Sequence, residues 1–289
     1  MYNKNIKKWV ALFIGPALFF LTLFLIYPSI QTFIFSFMGR RSEEFVGLDN
    51  FIYAFTSRAM LTSFRNNLMW IVFFTFGTVS LGLLMAILVD KVKYEKIAKS
   101  IIFMPMAVSF VGAGVIWKFI YDYKPMGANQ IGLLNQILTS LGFQPKGWLI
   151  QGPLMNNFAL IFVGLWIWTG FSMVILSAAY KGIPKDLLEA GRVDGANEWQ
   201  VFRHIILPYM KPTIAVVATT MAVNVLKIFD IVYVMTNGNY GTEVIANRMY
   251  KEMFQYRNYG RASAIAVVLF VLVIPVIFMN VKRMRGEDQ

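Results

Sequence analysis

Five stretches of the chain run without a charged residue, at positions 9–38, 68–89, 101–117, 158–180 and 262–281. A sixth, 213–234, is interrupted only by Lys227 and Asp230. Each is long enough to carry a helix of roughly 20 residues across about 30 Å of hydrocarbon. The pattern therefore predicts an all-α polytopic membrane protein with six transmembrane helices. The first run is too long for a removed signal peptide and lacks a small-residue cleavage site, so it reads as a retained helix. Pro105 in F-M-P-M-A-V-S should kink the third span and offers a gate hinge.

Between the fourth and fifth spans the pattern changes to that of a water-facing hairpin, E-A-G-R-V-D-G-A-N-E-W-Q-V-F-R-H-I-I-L-P at 189–208. Pro184 suits the first turn of a helix, and Leu187 and Leu188 give that helix an apolar side. Asp194-Gly195 is a turn pair. Asn197 can cap a second helix, in which Trp199, Phe202 and Ile206 recur at helical spacing and which Pro208 should stop. Two short amphipathic helices at the membrane surface make either a docking knob or an ordinary interhelical loop.

Composition agrees with the pattern. Of 289 residues 57% are hydrophobic and mean hydropathy is +0.58, more apolar surface than a water-soluble core absorbs. The net charge of +12 is mostly a sidedness bias. Basic residues gather at Lys4, Lys7 and Lys8, at Lys91, Lys93, Lys96 and Lys99, at Lys181, Lys185, Arg192, Arg203 and Lys211, and at Lys282, Arg283 and Arg285. The other three loops are longer and more dilute in charge. By the positive-inside rule both termini and the 181–211 hairpin are cytoplasmic, with residues 1–8 a short tail. Nucleic acid is not needed to explain the charge.

Two outer loops carry recognisable chemistry. One holds G-L-D-N-F at Gly47–Phe51. In the other, Leu133, Leu134, Ile137, Leu138 and Leu141 suit a short amphipathic helix. Such loops can receive an extracytoplasmic protein or simply cap the bundle.

Ionisable groups inside a span are costly unless they face a cavity or a partner. N-V-L-K-I-F-D in the fifth span puts Asn224 and Lys227 on one helix face, with Asp230 a turn further on. This is either a Lys227–Asp230 ion pair or a polar strip lining a path. In the fourth span, Trp168 and Phe171 could stack on a sugar ring while Thr169 and Ser172 offer hydroxyls; a tryptophan pair in a membrane helix also serves packing, as Trp166 does here. Gly164 and Gly170 allow close approach of a neighbouring helix.

Other chemistries have little to stand on. There is no cysteine and a single histidine, His204, which sits beside Arg203 on the hairpin. No G-x4-G-K-[S/T] phosphate loop, HExxH or nucleophile elbow occurs. Any ATP must bind another subunit.

The hairpin resembles the coupling loop of integral-membrane subunits of binding-protein-dependent ABC importers, whose pattern is E-A-A-x3-G-x9-I-x-L-P. Glu189, Ala190, Gly195, Ile205, Leu207 and Pro208 match it, and Gly191 replaces the second alanine, which should loosen packing slightly. The likeness continues through F-D-I-V-Y-V-M-T-N-G, T-E-V-I-A-N-R-M-Y and F-Q-Y-R-N-Y-G-R-A-S, and covers nearly the whole chain from Ile14-Gly15-Pro16. It is similar to the carbohydrate-uptake permeases, and to the maltose F-type subunit in lacking a G-A-x-K-G-type ending. Thr236–Gly241 departs from the family's T-x-G-G-P and resembles alpha-glucoside permeases instead.

The resemblance implies a type I permease domain over 9–289, in a prokaryotic cell membrane, translocating a sugar that is an oligosaccharide or an alpha-glucoside. Its implied partners are a second permease, two cytoplasmic ATPase subunits that hold ATP and magnesium, and an extracytoplasmic sugar-binding protein. The hairpin residues would seat in the ATPase cleft. Trp168, Phe171, Ser172, Asn224, Lys227 and Asp230 would line the sugar path. An ion-coupled secondary sugar transporter is the competing expectation, with Asp230 nearly its only coupling carboxylate; a membrane-embedded enzyme lacks any metal or nucleophile constellation.

Overall fold

The computed structural model describes residues 4–286 except residue 153, with side chains outside 4–8, 11, 276, 277 and 279–286. The basic side chains expected at the two ends, Lys4, Lys7, Lys8, Lys282, Arg283 and Arg285, lie outside the described residues. The described residues form helices and turns, joined by one isolated antiparallel bridge between Met38 and Phe45. The first helix, Lys4–Leu21, already begins inside the segment expected as a tail.

Among the described residues, four helices are long and apolar enough to cross a membrane: Leu12–Phe35, Arg58–Asp90, Met155–Lys181 and Glu198–Leu226. A fifth crossing is a bent pair, Glu95–Ala107 and Phe110–Ile120, and the sixth apolar segment is the C-terminal helix Tyr259–Gly286. Leu12–Phe35 has no buried residue, which suits a helix surrounded by lipid.

Two expected spans are not continuous. The run 101–117 breaks around Val108 and Ser109, and its halves meet at 98°. Pro105 sits in a tight 3-10 turn, Met104–Ala107; Val108 is extended, and Ser109 accepts from the Gly112 N–H to start the next helix. A proline ending one helix and a serine capping another make a break, not a kink. The run 213–234 also divides. Helix Leu207–Leu226 ends at Lys227, and a second helix runs Asp230–Met235. A lysine at a helix C-terminus and an aspartate in a first turn each suit the helix dipole, so these two charges mark an interruption.

Pro208 does not stop the hairpin's second helix, contrary to expectation. Residues 202–206 form a wide π-turn, after which Leu207–Leu226 continues with proline in its first turn. The same device recurs at Thr22–Ile26 before Pro28. A wide turn just upstream relieves the clash between the proline ring and the preceding carbonyls, so each helix passes its proline without ending.

Residues group into two compact units: the chain up to Met60 with Arg248–Val271, and Leu61–Asn247 with the chain from Leu272. The core of the second unit is Met155–Lys181, packed along Thr75–Asp90. Small residues set that approach. A side chain at Gly82 would meet Ser172 Cβ at 2.6 Å, and one at Gly164 would meet the Phe74 ring at 2.9 Å. Gly170 admits the broken third span, with Ile102 O 2.5 Å from where its Cβ would lie.

Candidate functional sites: a broken-helix cavity and a cytoplasmic hairpin

Both helix breaks fall at one cavity of about 130 Å³ in the second unit. Trp168 lines it from the central helix, Phe110 from the start of the third span's second half, and Asn224, Lys227 and Asp230 from either side of the fifth span's break. The two half-helices Phe110–Ile120 and Asp230–Met235 pack on each other, with Gly114 against Val234. Unwound backbone at membrane depth is tolerated where it lines a cavity, and helix ends present uncompensated backbone groups there.

Four of the six expected path residues thus belong to the site by position: Trp168, Asn224, Lys227 and Asp230. The ring of Trp168 stacks on Phe110, centroids 6.1 Å apart and 21° between planes. Phe171 stands edge-on behind Trp168 at 5.5 Å and is not part of the lining, so it supports the tryptophan. Ser172 is fully buried on the face toward Gly82, its hydroxyl without a partner among the described residues. It cannot offer that hydroxyl to a solute in the cavity. The shift of one residue beyond Phe171 turns the side chain about 100° around the helix, into the core.

Thr169 bonds back to Leu165 O at 2.7 Å, which uses its donor locally. Trp166 packs edge-on against Trp117 at 5.7 Å, as expected of a packing residue. Asn224 donates its amide to Thr220 O at 2.9 Å, which leaves its Oδ1 facing no protein donor among the described residues. No ion pair joins Lys227 to Asp230 among the described residues. The break separates them, so an ammonium donor and a carboxylate acceptor both serve the cavity. Phe110 was absent from the sequence reading. The signal was there: a Pro105 stop followed four residues later by a serine cap places residue 110 at a helix start.

Immediately beyond the cavity, residues 236–241 take a knotted path, with left-handed backbone at Asn237 (φ 50), Gly238 (φ 70), Tyr240 (φ 57) and Gly241 (φ 78). Buried asparagines hold it. Asn66 donates to Gly241 O at 2.7 Å and Glu243 O at 2.8 Å, Asn156 donates to Tyr240 O at 2.6 Å, and Asn67 Oδ1 accepts from the Ile245 N–H at 2.9 Å. All of these contacts are to main chain.

The hairpin is built locally. Helix Lys185–Val193 ends at Asp194, and Gly195 takes φ 84 with no neighbour near its missing Cβ. Asn197 accepts from the Gln200 N–H at 2.9 Å while the Gln200 side chain accepts from the Asn197 N–H at 2.8 Å, a reciprocal cap worth about 1 kcal/mol. Arg192 bridges the two helices by an ion pair to Glu198 at 2.8 Å. Gly191 does not loosen the packing, as its size suggested. A Cβ there would lie 2.5 Å from Ile205 Cδ1, so the glycine is what lets Ile205 press between the helices.

Glu189, Ala190, Gly195, Leu207 and Pro208 are exposed, with Ile205 half-buried beneath. Val193 and Trp199 are also bare, at 86% and 65% exposure. An apolar pair this open beside unpartnered charges on a rigid knob is what an interface needs. Behind the knob, Lys181 ties the end of the central helix to Glu95 at 2.6 Å and Asp90 at 3.4 Å.

Known proteins share this architecture. Residues 78–284 match the family model described as binding-protein-dependent transport system inner membrane component. The osmoprotective compounds uptake permease protein GgtC of Synechocystis sp. is 59% identical, over 96% of this chain and 99% of that protein. The alpha-glucoside transport system permease protein AglF of Rhizobium meliloti is 47% identical, over 99% of this chain and 84% of its own length. Among solved structures, a chain of a bacterial ABC transporter involved in import of the acidic polysaccharide alginate superposes with a TM-score of 0.83, at 25% identity and 98% coverage of both chains.

Proposed function

The chain belongs to the family of inner-membrane components of binding-protein-dependent transport systems, and from that premise we propose that it forms half of the membrane path of an ATP-driven importer for a small alpha-glucosidic solute. It is a multi-pass membrane permease, a transport component and not a catalytic enzyme. The ion-coupled alternative is set aside, because its family moves solutes delivered by a binding protein.

The observation that carries the substrate class is the cavity where the two broken helices meet. Its lining brings an indole stacked on a phenyl ring, suited to the apolar face of a sugar ring, together with the ammonium of Lys227, the carboxylate of Asp230 and the amide of Asn224, suited to its hydroxyls. At about 30 Å³ per water its volume of about 130 Å³ holds roughly four waters, so the cavity must widen to take a whole sugar ring. The names of the relatives at 59% and 47% identity, one for osmoprotective compounds and one for alpha-glucosides, favour a small neutral glycoside.

Its partners in this reading are a second permease, two cytoplasmic ATPases that hold ATP and magnesium, and an extracytoplasmic binding protein. ATP-driven closure of the ATPases pushes the hairpin, with Glu189, Ala190 and Gly195 on its face toward them. The rigid knob rocks the central helix and, through Lys181, the second and third spans. The half-helices then open the cavity outward, and solute released by the binding protein enters.

The test is uptake of labelled alpha-glucosides by the reconstituted complex, with Trp168→Ala beside the parent. Loss of stacking should lower transport about tenfold, the equivalent of about 1.4 kcal/mol, while the ATPase still co-purifies. Parent-like uptake by Trp168→Ala would move the path elsewhere.

A further inference from the structure

In the first unit an open cleft of about 440 Å³ is lined by Arg40, Arg248, Glu252, Tyr256, Asn258 and Arg261. It lies between the end of the first span at Phe35 and the start of the last helix at Tyr259. By the distribution of basic residues this is the extracytoplasmic side. Three guanidinium groups face a single carboxylate.

That carboxylate is already occupied. Glu252 is 1% exposed, accepts from Tyr53 Oη at 2.7 Å, and is ion-paired with Arg248. Burial, with Glu252 close by, pushes the Tyr53 hydroxyl's pKa up, so it stays a donor. Glu252 and Tyr53 therefore hold Arg248 in place and have nothing left to neutralise the other two arginines. Arg248 Nε is buried with no acceptor among the described residues. Arg40 spends one donor on Tyr256 O at 2.7 Å. Arg261 lies over the Tyr53 ring at 4.0 Å and has no side-chain acceptor among the described residues, although its backbone N–H donates to Asn258 Oδ1 at 3.0 Å.

The backbone fixes this arrangement. The Tyr259 N–H donates to Arg40 O at 2.9 Å, and the Asn258 N–H to Glu252 O at 2.7 Å. Asn50 donates to Ser36 O and Met38 O, at 3.0 and 2.7 Å, and so pins the turn that leads to Arg40. The G-L-D-N-F element of the sequence thus serves to aim an arginine. The cleft is a preformed, positively charged receptor with unused planar donors, and guanidinium forks match a carboxylate in two-point geometry.

We infer that this cleft receives a carboxylate side chain of the extracytoplasmic binding protein and so fixes where that protein docks. The inference rests on the importer reading above. A lipid phosphate would bring acyl chains that need an apolar wall, and no aliphatic side chain lines the cleft. A charge at the rim of an interface acts mainly on encounter rate and on salt dependence, which gives the site a signature of its own.

The complete complex in nanodiscs tests it, with stimulation of ATP hydrolysis titrated by purified binding protein at several salt concentrations. Arg40→Glu, on an exposed side chain, should raise the half-saturating concentration of binding protein by about tenfold and flatten its salt dependence. Arg40→Gln should lie between Arg40→Glu and the parent. Arg261→Glu should act in the same direction, and replacing the matching acidic residue of the binding protein by arginine should rescue Arg40→Glu. Parent-like titrations for both charge reversals overturn the inference and leave the importer reading standing. So does an effect seen only in nanodiscs with anionic lipid, which would make a headgroup the ligand. A parent complex that no binding protein stimulates overturns the importer reading, and the inference with it.

Discussion

The hairpin and the cavity are both sites of interrupted helix, but they are made in opposite ways. The hairpin's shape is written within 20 residues: Gly195 turns it, Asn197 and Gln200 cap it, and Arg192 reaches Glu198 across it. The cavity is assembled from side chains at positions 74, 110, 168, 224, 227 and 230 among others, carried by four spans, two of them broken. A region built from neighbours keeps its form when it is pushed, as a lever must. One built from distant pieces changes form when those pieces move, which is what a gate requires.

The contrast can be broken most severely at Gly170. Gly170→Val drives a side chain into the backbone of Ile102 and Phe103, which cannot move aside as a side-chain tip can. A destabilisation of roughly 3 kcal/mol is expected, read as loss of monodisperse complex in size-exclusion chromatography. A parent-like elution profile would mean that the third span does not rest on the central helix.

Gly195→Val disturbs the lever alone. There is open space around the position, so the cost is the left-handed backbone, about 1–2 kcal/mol. The complex should still assemble, with binding-protein-stimulated ATP hydrolysis reduced and the affinity for solute retained. Equal losses of solute binding and coupling would show that lever and gate are not separate.

Ser172→Ala is the smallest change and sharpens the boundary of the cavity. The hydroxyl is buried without a partner among the described residues, so its removal should leave stability and uptake within about 0.5 kcal/mol of the parent. A drop in uptake would place Ser172 back on the path.

Sequence reasoning saw these regions unequally, for the same physical reason. Asn197 as a cap, Gly195 as a turn and the helix Leu133–Ser140 follow from near-neighbour chemistry, and all three stand as expected. The six apolar runs were equally plain, because crossing hydrocarbon imposes length and composition on each segment independently. Where helices stop inside the membrane was harder. Lys227 and Asp230 read as a polar stripe on one helix when they are a stop and a start, since hydropathy alone gives no reason to end a helix there. Pro208 erred the other way: a five-residue π-turn, Phe202–Ile206, carried the helix past it. Ser172 failed because facing is decided by Gly82 on another helix.

The asparagine clamp around residues 240–245 holds backbone and not side chains. Asn66, Asn67 and Asn156 grip carbonyl and amide groups of the loop, which every residue type supplies. A substitution in the gripped segment can therefore leave its grip intact, provided the backbone can still take the left-handed turns at 237, 238, 240 and 241. The clamp thus fixes the course of this segment from positions 84 to 178 residues away in the chain, and leaves the identity of its side chains a separate matter.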